Sequence, residues 1–138
     1  MASIHKQILV GVAADTVWDA VRDIGTLHTR VAPGVVVDTV ILPDSEPLAR
    51  MVTFADGLIL REIIVDCDDA ARRLVWAIDG DQVAHHNASM QVFDADDGGA
   101  RVVWIADVLP HALGEPFGAI MDNGMAAMQR QLESQVHR

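Results

Sequence analysis

Residues 98–132, GGARVVWIADVLPHALGEPFGAIMDNGMAAMQRQL, decide the fold because the hydrophobic period changes inside them. Residues 101–109 are rich in β-branched and large apolar side chains, the composition of a strand packed against a core. Beyond Pro110 the period lengthens to about 3.6, as in a helix. Phe117, Ile120, Met121, Gly124, Met125, Met128 and Leu132 fall on one face, and Asp122, Gln129, Arg130 and Glu133 on the other. Pro116 suits the first turn, where a missing N–H costs nothing. A strand therefore runs into a long amphipathic helix, and the helix's apolar stripe needs a sheet face to lie against.

Upstream, the segments 35–42, 48–54, 58–67, 74–78 and 83–93 share the strand composition of 101–109. They are separated by Pro43-Asp44-Ser45, Ala55-Asp56-Gly57, Asp68-Asp69, Asp79-Gly80-Asp81 and Asp96-Asp97-Gly98-Gly99. Connections this short join antiparallel neighbours, since a parallel crossover needs roughly a dozen residues or more. Residues 4–12 read as one further strand. Asp15 then caps or charges a helix whose stripe is Val17, Trp18, Val21 and Ile24, with Gly25 as its stop, and a second helical turn over 26–31 ends before Pro33-Gly34. The order is strand, two short helices, six strands, long helix. That is an α+β chain with a seven-stranded antiparallel sheet, and its 138 residues fit a single domain over 1–138.

Composition excludes several classes of function. A formal charge of −10 makes nucleic acid and anionic membrane surfaces poor partners, because both are bound chiefly by clustered Lys and Arg. No apolar run approaches the roughly 18 residues of a membrane span, so membrane insertion is not expected. The N-terminus MASIHKQILVG lacks the layout of a secretory signal, and the single cysteine, Cys67, has no partner for a disulfide; both point to a reducing cytoplasm. Metal binding is disfavoured: His85 and His86 are adjacent and face opposite sides of a strand, and His111 and Glu115 flank helix-breaking Gly114 and Pro116. Cys67 lies among Asp66, Asp68 and Asp69, an acidic setting that makes a poor nucleophile.

The element order, together with ADTVWDAVRDIGTLHTRVAPGV at 14–35, LREIIVDCDDAARRLVWAI at 60–78, HHNASMQVF at 85–93 and GGARVVWIADVLP at 98–110, resembles the START-like, or SRPBCC, superfamily. That group includes polyketide cyclase/dehydrase-like proteins, the birch pollen allergen group and plant abscisic acid receptors. The resemblance implies a helix-grip fold, in which a curved sheet wraps the last helix and encloses a cavity, with no fixed cofactor.

Candidate pocket residues come from alternation along strands. In 83–93 the set Ala84, His86, Ala88, Met90 and Val92 is the more apolar and is assigned inward, which makes His86 an isolated imidazole among apolar neighbours. Alternation leaves 58–67 open, since Leu60-Glu62-Ile64 and Ile59-Arg61-Ile63-Val65 both look inward. The resemblance to the hormone receptors, in the pattern from Glu62 to the Asp68-Asp69 turn, implies that Glu62, and with it Leu60 and Ile64, lines the cavity. Glu62 and His86 would then form an acid–base pair or orient a ligand oxygen. Asp107 is a third catalytic candidate, dependent on register: a two-residue Asp97-Gly98 turn pairs Val92 with Val103 and turns Asp107 inward, and a one-residue shift turns it outward and Trp104 inward. The helix contributes Phe117, Met121, Met125 and Met128, flexible side chains suited to plain core or to an adaptable pocket. Gly118 and Gly124 leave room on the same helix for a ligand or a close-packed strand.

These residues support binding of a hydrophobic or aromatic small molecule, lipid-like or polyketide-like. The alternatives are a cofactor-free polyketide cyclase or dehydratase, and an interaction protein with a collapsed cavity. A homodimer stays open.

Overall fold

The computed structural model describes residues 2–135; the expected range 1–138 reaches past them at both ends. The chain runs β1 (Ala2–Val10), α1 (Ala14–Val21), a 3-10 turn (Ile24–Thr26), a π turn (Leu27–Val31) and β2 (Val36–Leu42). It continues through β3 (Ala49–Phe54), β4 (Ile59–Asp68), β5 (Arg73–Ile78), β6 (His85–Asp94) and β7 (Ala100–Leu109) to a 3-10 turn (His111–Leu113) and α2 (Gly114–Ser134). The sheet order is β1-β7-β6-β5-β4-β3-β2, every neighbour antiparallel. This is the helix-grip architecture. The hairpin turns after β3 and β6 carry Gly57 at φ 93° and Gly98 at φ 84°, a left-handed conformation that glycine reaches without steric cost.

Two register shifts, between Val36 and Asp38 and between Ile64 and Asp66, are bulges that raise the local twist and curl the β2–β5 half of the sheet. At the opposite edge α2 is tied to β1. Lys6 Nζ lies 3.1 Å from Asp122, the Gly11 N–H donates to Glu133 Oε2 at 2.8 Å, and Gln129 donates to the Leu9 carbonyl at 3.2 Å. The helix is thus anchored to one edge while the other half of the sheet bends around it. Between them lies a core that includes Val10, Val17, Leu74, Val92, Val102, Met121, Met125, Met128 and Leu132, each at most 2% exposed.

Local differences from the sequence reading have physical causes. Asp15 does not cap α1, whose N-cap residue is Ala13, but it does charge the first turn, and its carboxylate accepts from Arg72 at 2.8 Å. Gly25 does not stop α1, which ends at Val21 with Arg22 as its C-cap, but a Cβ there would stand 2.8 Å from Ile41 Cδ1, so Gly25 admits a close approach of β2. The β6–β7 connection is longer than two residues: Asp94 pairs with Ala100, and Ala95 and Gly99 close the loop with a 3.0 Å backbone bond. Met90 therefore pairs with Trp104 and Val92 with Val102, which turns Trp104 inward and Asp107 outward.

Candidate functional site: a cavity between sheet and helix

An internal cavity of about 80 Å³ lies between the inner face of the sheet, the π turn and α2. The π turn contributes Leu27 and Val31; the sheet contributes Leu60, Leu74, Trp76, Ile78, Met90 and Trp104; the helix contributes Phe117, Ile120, Met121 and Gly124. Gly124 lets the helix approach β7, since a Cβ there would sit 3.1 Å from Trp104 Cζ3. The two indoles of the wall, Trp76 and Trp104, are in tilted contact with centroids 5.9 Å apart. An open groove of about 330 Å³ lies outside, bounded by the β3–β4 turn and α2 and lined by Asn123, Ala126 and Arg130 among others. Val35, Phe54 and Ile120 line both spaces and form the partition between them.

Three polar side chains reach the cavity: Arg50, Glu62 and His86. Arg50 and Glu62 are cross-strand partners on β3 and β4, with Arg50 Nε donating to Glu62 Oε1 at 2.9 Å and both side chains almost fully buried. Arg50 Nη1 also donates to the Ile24 carbonyl at 3.1 Å, and its guanidinium lies 5.8 Å from the Trp76 ring centroid. This gives the buried cation three partners, as a desolvated charge requires.

His86 occupies the same cross-sheet row. Glu62 pairs with Ile78 on β5, and the Ile78 N–H donates to His86 Nδ1 at 3.1 Å. Two strand spacings separate Glu62 from His86, roughly 10 Å at the backbone, and Glu62 is engaged by β3, on the far side of β4 from His86. A backbone N–H can only donate, so His86 Nδ1 presents its lone pair and the proton of the neutral ring is on Nε2. The ring rests 5.5 Å from Phe117. Burial, followed by the charge of neighbouring His85, pushes the imidazole down to about 4, with Asp107 pulling the other way.

Of the expected pocket residues, Leu60, Glu62, His86, Met90, Trp104, Phe117 and Met121 line the cavity. Asp107 does not: it pairs with Asn87 on the outer face and accepts from Ser3 Oγ at 2.6 Å, because the long β6–β7 loop sets the register that turns it out. Ile64, Ala88, Met125 and Met128 also lie off the cavity. Ala88, Met125 and Met128 are closed core, and Ile64 is a half-buried residue packed against it. Sequence reasoning missed Arg50, although the Ala55-Asp56-Gly57 turn sets the register that pairs it with Glu62. It also missed Trp76 and the part that the helical turn read over 26–31 plays in lining the cavity. Among the described residues no cluster of side chains could hold a metal ion, and no helix is long and apolar enough to cross a membrane.

A curved sheet gripping a terminal helix around a largely apolar cavity defines the SRPBCC-like class. The chain belongs to the family described as polyketide cyclase / dehydrase and lipid transport, whose model matches residues 1–137. No curated protein matches it. Among solved structures it is similar to XoxI from Bacillus cereus, at 16% identity and TM-score 0.87 over all of both chains. It is also similar to a Thermobifida fusca protein, at 28% identity and TM-score 0.76, over 98% of this chain and 93% of that one. A third likeness is to the di-domain ARO/CYC BexL of the BE-7585A biosynthetic pathway, at 18% identity and TM-score 0.79; it spans all of this chain and 48% of BexL.

Proposed function

We propose that the chain binds a small, predominantly apolar molecule inside this cavity and does not transform it. The observation that carries the reading is the space itself, with largely apolar walls broken by Arg50, Glu62 and His86 and a partition of Val35, Phe54 and Ile120 toward an outer groove. Its volume is about half that of a roughly 150 Å³ apolar cavity that admits benzene. An occupant of one ring therefore has to displace wall side chains. Met90 and Met121, unbranched and flexible, and the partition residues facing the groove are suited to give way. The family's lipid transport members agree with carriage as a role.

The alternative reading, a cofactor-free cyclase or dehydratase, draws on the cyclase members of the family and on Glu62 and His86 as acid and base. Their bonding argues against it. A general base needs a free lone pair within reach of the proton it takes, and His86 spends Nδ1 on Ile78 while Glu62 is paired with Arg50. Mass spectrometry of the full chain, isolated gently and sprayed under native conditions, tests the proposal. Binding predicts an adduct released as an apolar small molecule on denaturation. Bare protein, with no thermal stabilisation by any member of a panel of small apolar compounds, would refute it.

A further inference from the structure

We infer that Trp104 and His86 make this cavity selective for an uncharged apolar molecule bearing one carbonyl-type oxygen, with the Trp104 indole N–H as its anchor. The inference deepens the binding reading and rests on it.

Among the described residues, Trp104 Nε1 is the one buried side-chain nitrogen or oxygen without a hydrogen-bond partner. Buried donors are nearly always paired; Trp104 lines the cavity, and its covered Nε1 can be satisfied by an acceptor that an occupant brings once the wall side chains give way. The other two indoles of the chain differ. Trp18 Nε1 donates to Asp69 at 2.9 Å, and Trp76 Nε1 is not among the buried orphans. His86 adds a second donor, because the Ile78 N–H fixes its Nδ1 as acceptor and leaves the proton on Nε2. On the acceptor side the wall offers only Glu62, one of whose oxygens already takes the Arg50 Nε–H.

The polar chemistry of the cavity is therefore weighted toward donors, and an occupant that brings an acceptor completes it. Charge complementarity sets the second limit. Arg50 is the one Lys or Arg on the wall and is paired with Glu62, so a carboxylate or phosphate would find no free cation, and an ammonium would meet two donors. A ketone, aldehyde or lactone oxygen on an apolar frame satisfies both limits.

The test uses cyclohexanone and its isostere methylenecyclohexane, which replaces the oxygen by a CH₂ of similar shape. In a ¹H–¹⁵N spectrum of the full chain, cyclohexanone should move the Trp104 indole N–H resonance downfield. Methylenecyclohexane should not, and the Trp18 indole should stay in place with both. Trp104→Phe should lower the ratio of cyclohexanone to methylenecyclohexane affinity by about tenfold, the usual scale of one buried hydrogen bond. If both probes shift the Met90 and Met121 methyl resonances but the indole ignores the ketone and the ratio is unchanged in Trp104→Phe, the anchor is refuted while cavity binding stands. If neither probe shifts those methyls, the binding reading fails and takes this inference with it.

Discussion

Arg50 and Glu62 face each other across β3 and β4 with Nε and Oε1 2.9 Å apart, the one ion pair among the described residues with both side chains below 10% exposure. Removing one partner strands a buried charge, which costs about 3–5 kcal/mol, whereas replacing both by apolar residues of similar volume is near neutral. Arg50→Met should therefore lower the urea midpoint sharply, and Arg50→Met with Glu62→Leu should restore most of it. Equal midpoints for the single and double variants would contradict a pair whose role is mutual charge compensation.

The imidazole of His86 gives stability a definite pH dependence. Its folded-state pKa of about 4 lies below the ordinary 6.5, so between those values the unfolded chain binds a proton that the folded chain declines. The contribution is fully present above the unfolded value and is lost as pH falls toward 4, by up to about 3 kcal/mol. His86→Gln, whose side-chain oxygen can still accept the Ile78 N–H, removes it. Urea unfolding at about pH 7 and about pH 5 should show a smaller loss on acidification in His86→Gln than in the parent chain. An identical loss would exclude His86 as the source.

Phe54 and Ile120 separate the cavity from the outer groove. Truncating either to alanine should join the two spaces, so association and dissociation of cyclohexanone should accelerate together, with affinity held within about threefold. Line-shape analysis of the Met90 methyl resonance reads both rates. Unchanged exchange in both variants would put the entry route elsewhere.

How far the sequence reached depends on what each feature rests on. The seven strands and α2 were legible because period and turn chemistry are local, and the observed bounds fall within a few residues of those read from the sequence. The direction of Asp107 was not, because it hangs on whether the 95–99 loop closes with two residues or more, and a single step of register reverses every side chain beyond it. Met125 and Met128 share a helical face with Met121, yet only Met121 meets the cavity; Met125 and Met128 lie beyond Gly124, where helix and Trp104 are in close approach, and are closed core. Periodicity reports the face of a helix and is blind to how far that face stands from its neighbour. Arg50 escaped notice because its burial depends on a partner on the next strand and on the Ile24 carbonyl, 26 residues away in sequence.

Occupation of the cavity within the core is read by ¹³C-methyl methionine spectra recorded during titration with cyclohexanone. Met90 and Met121 line the cavity, whereas Met125 and Met128 are buried away from it, so the four methyl groups separate internal binding from adsorption at the surface. Binding inside the core gives saturable shifts of the Met90 and Met121 resonances, with Met125 and Met128 nearly still. Shifts absent from all four, or confined to resonances outside the cavity wall, would contradict it.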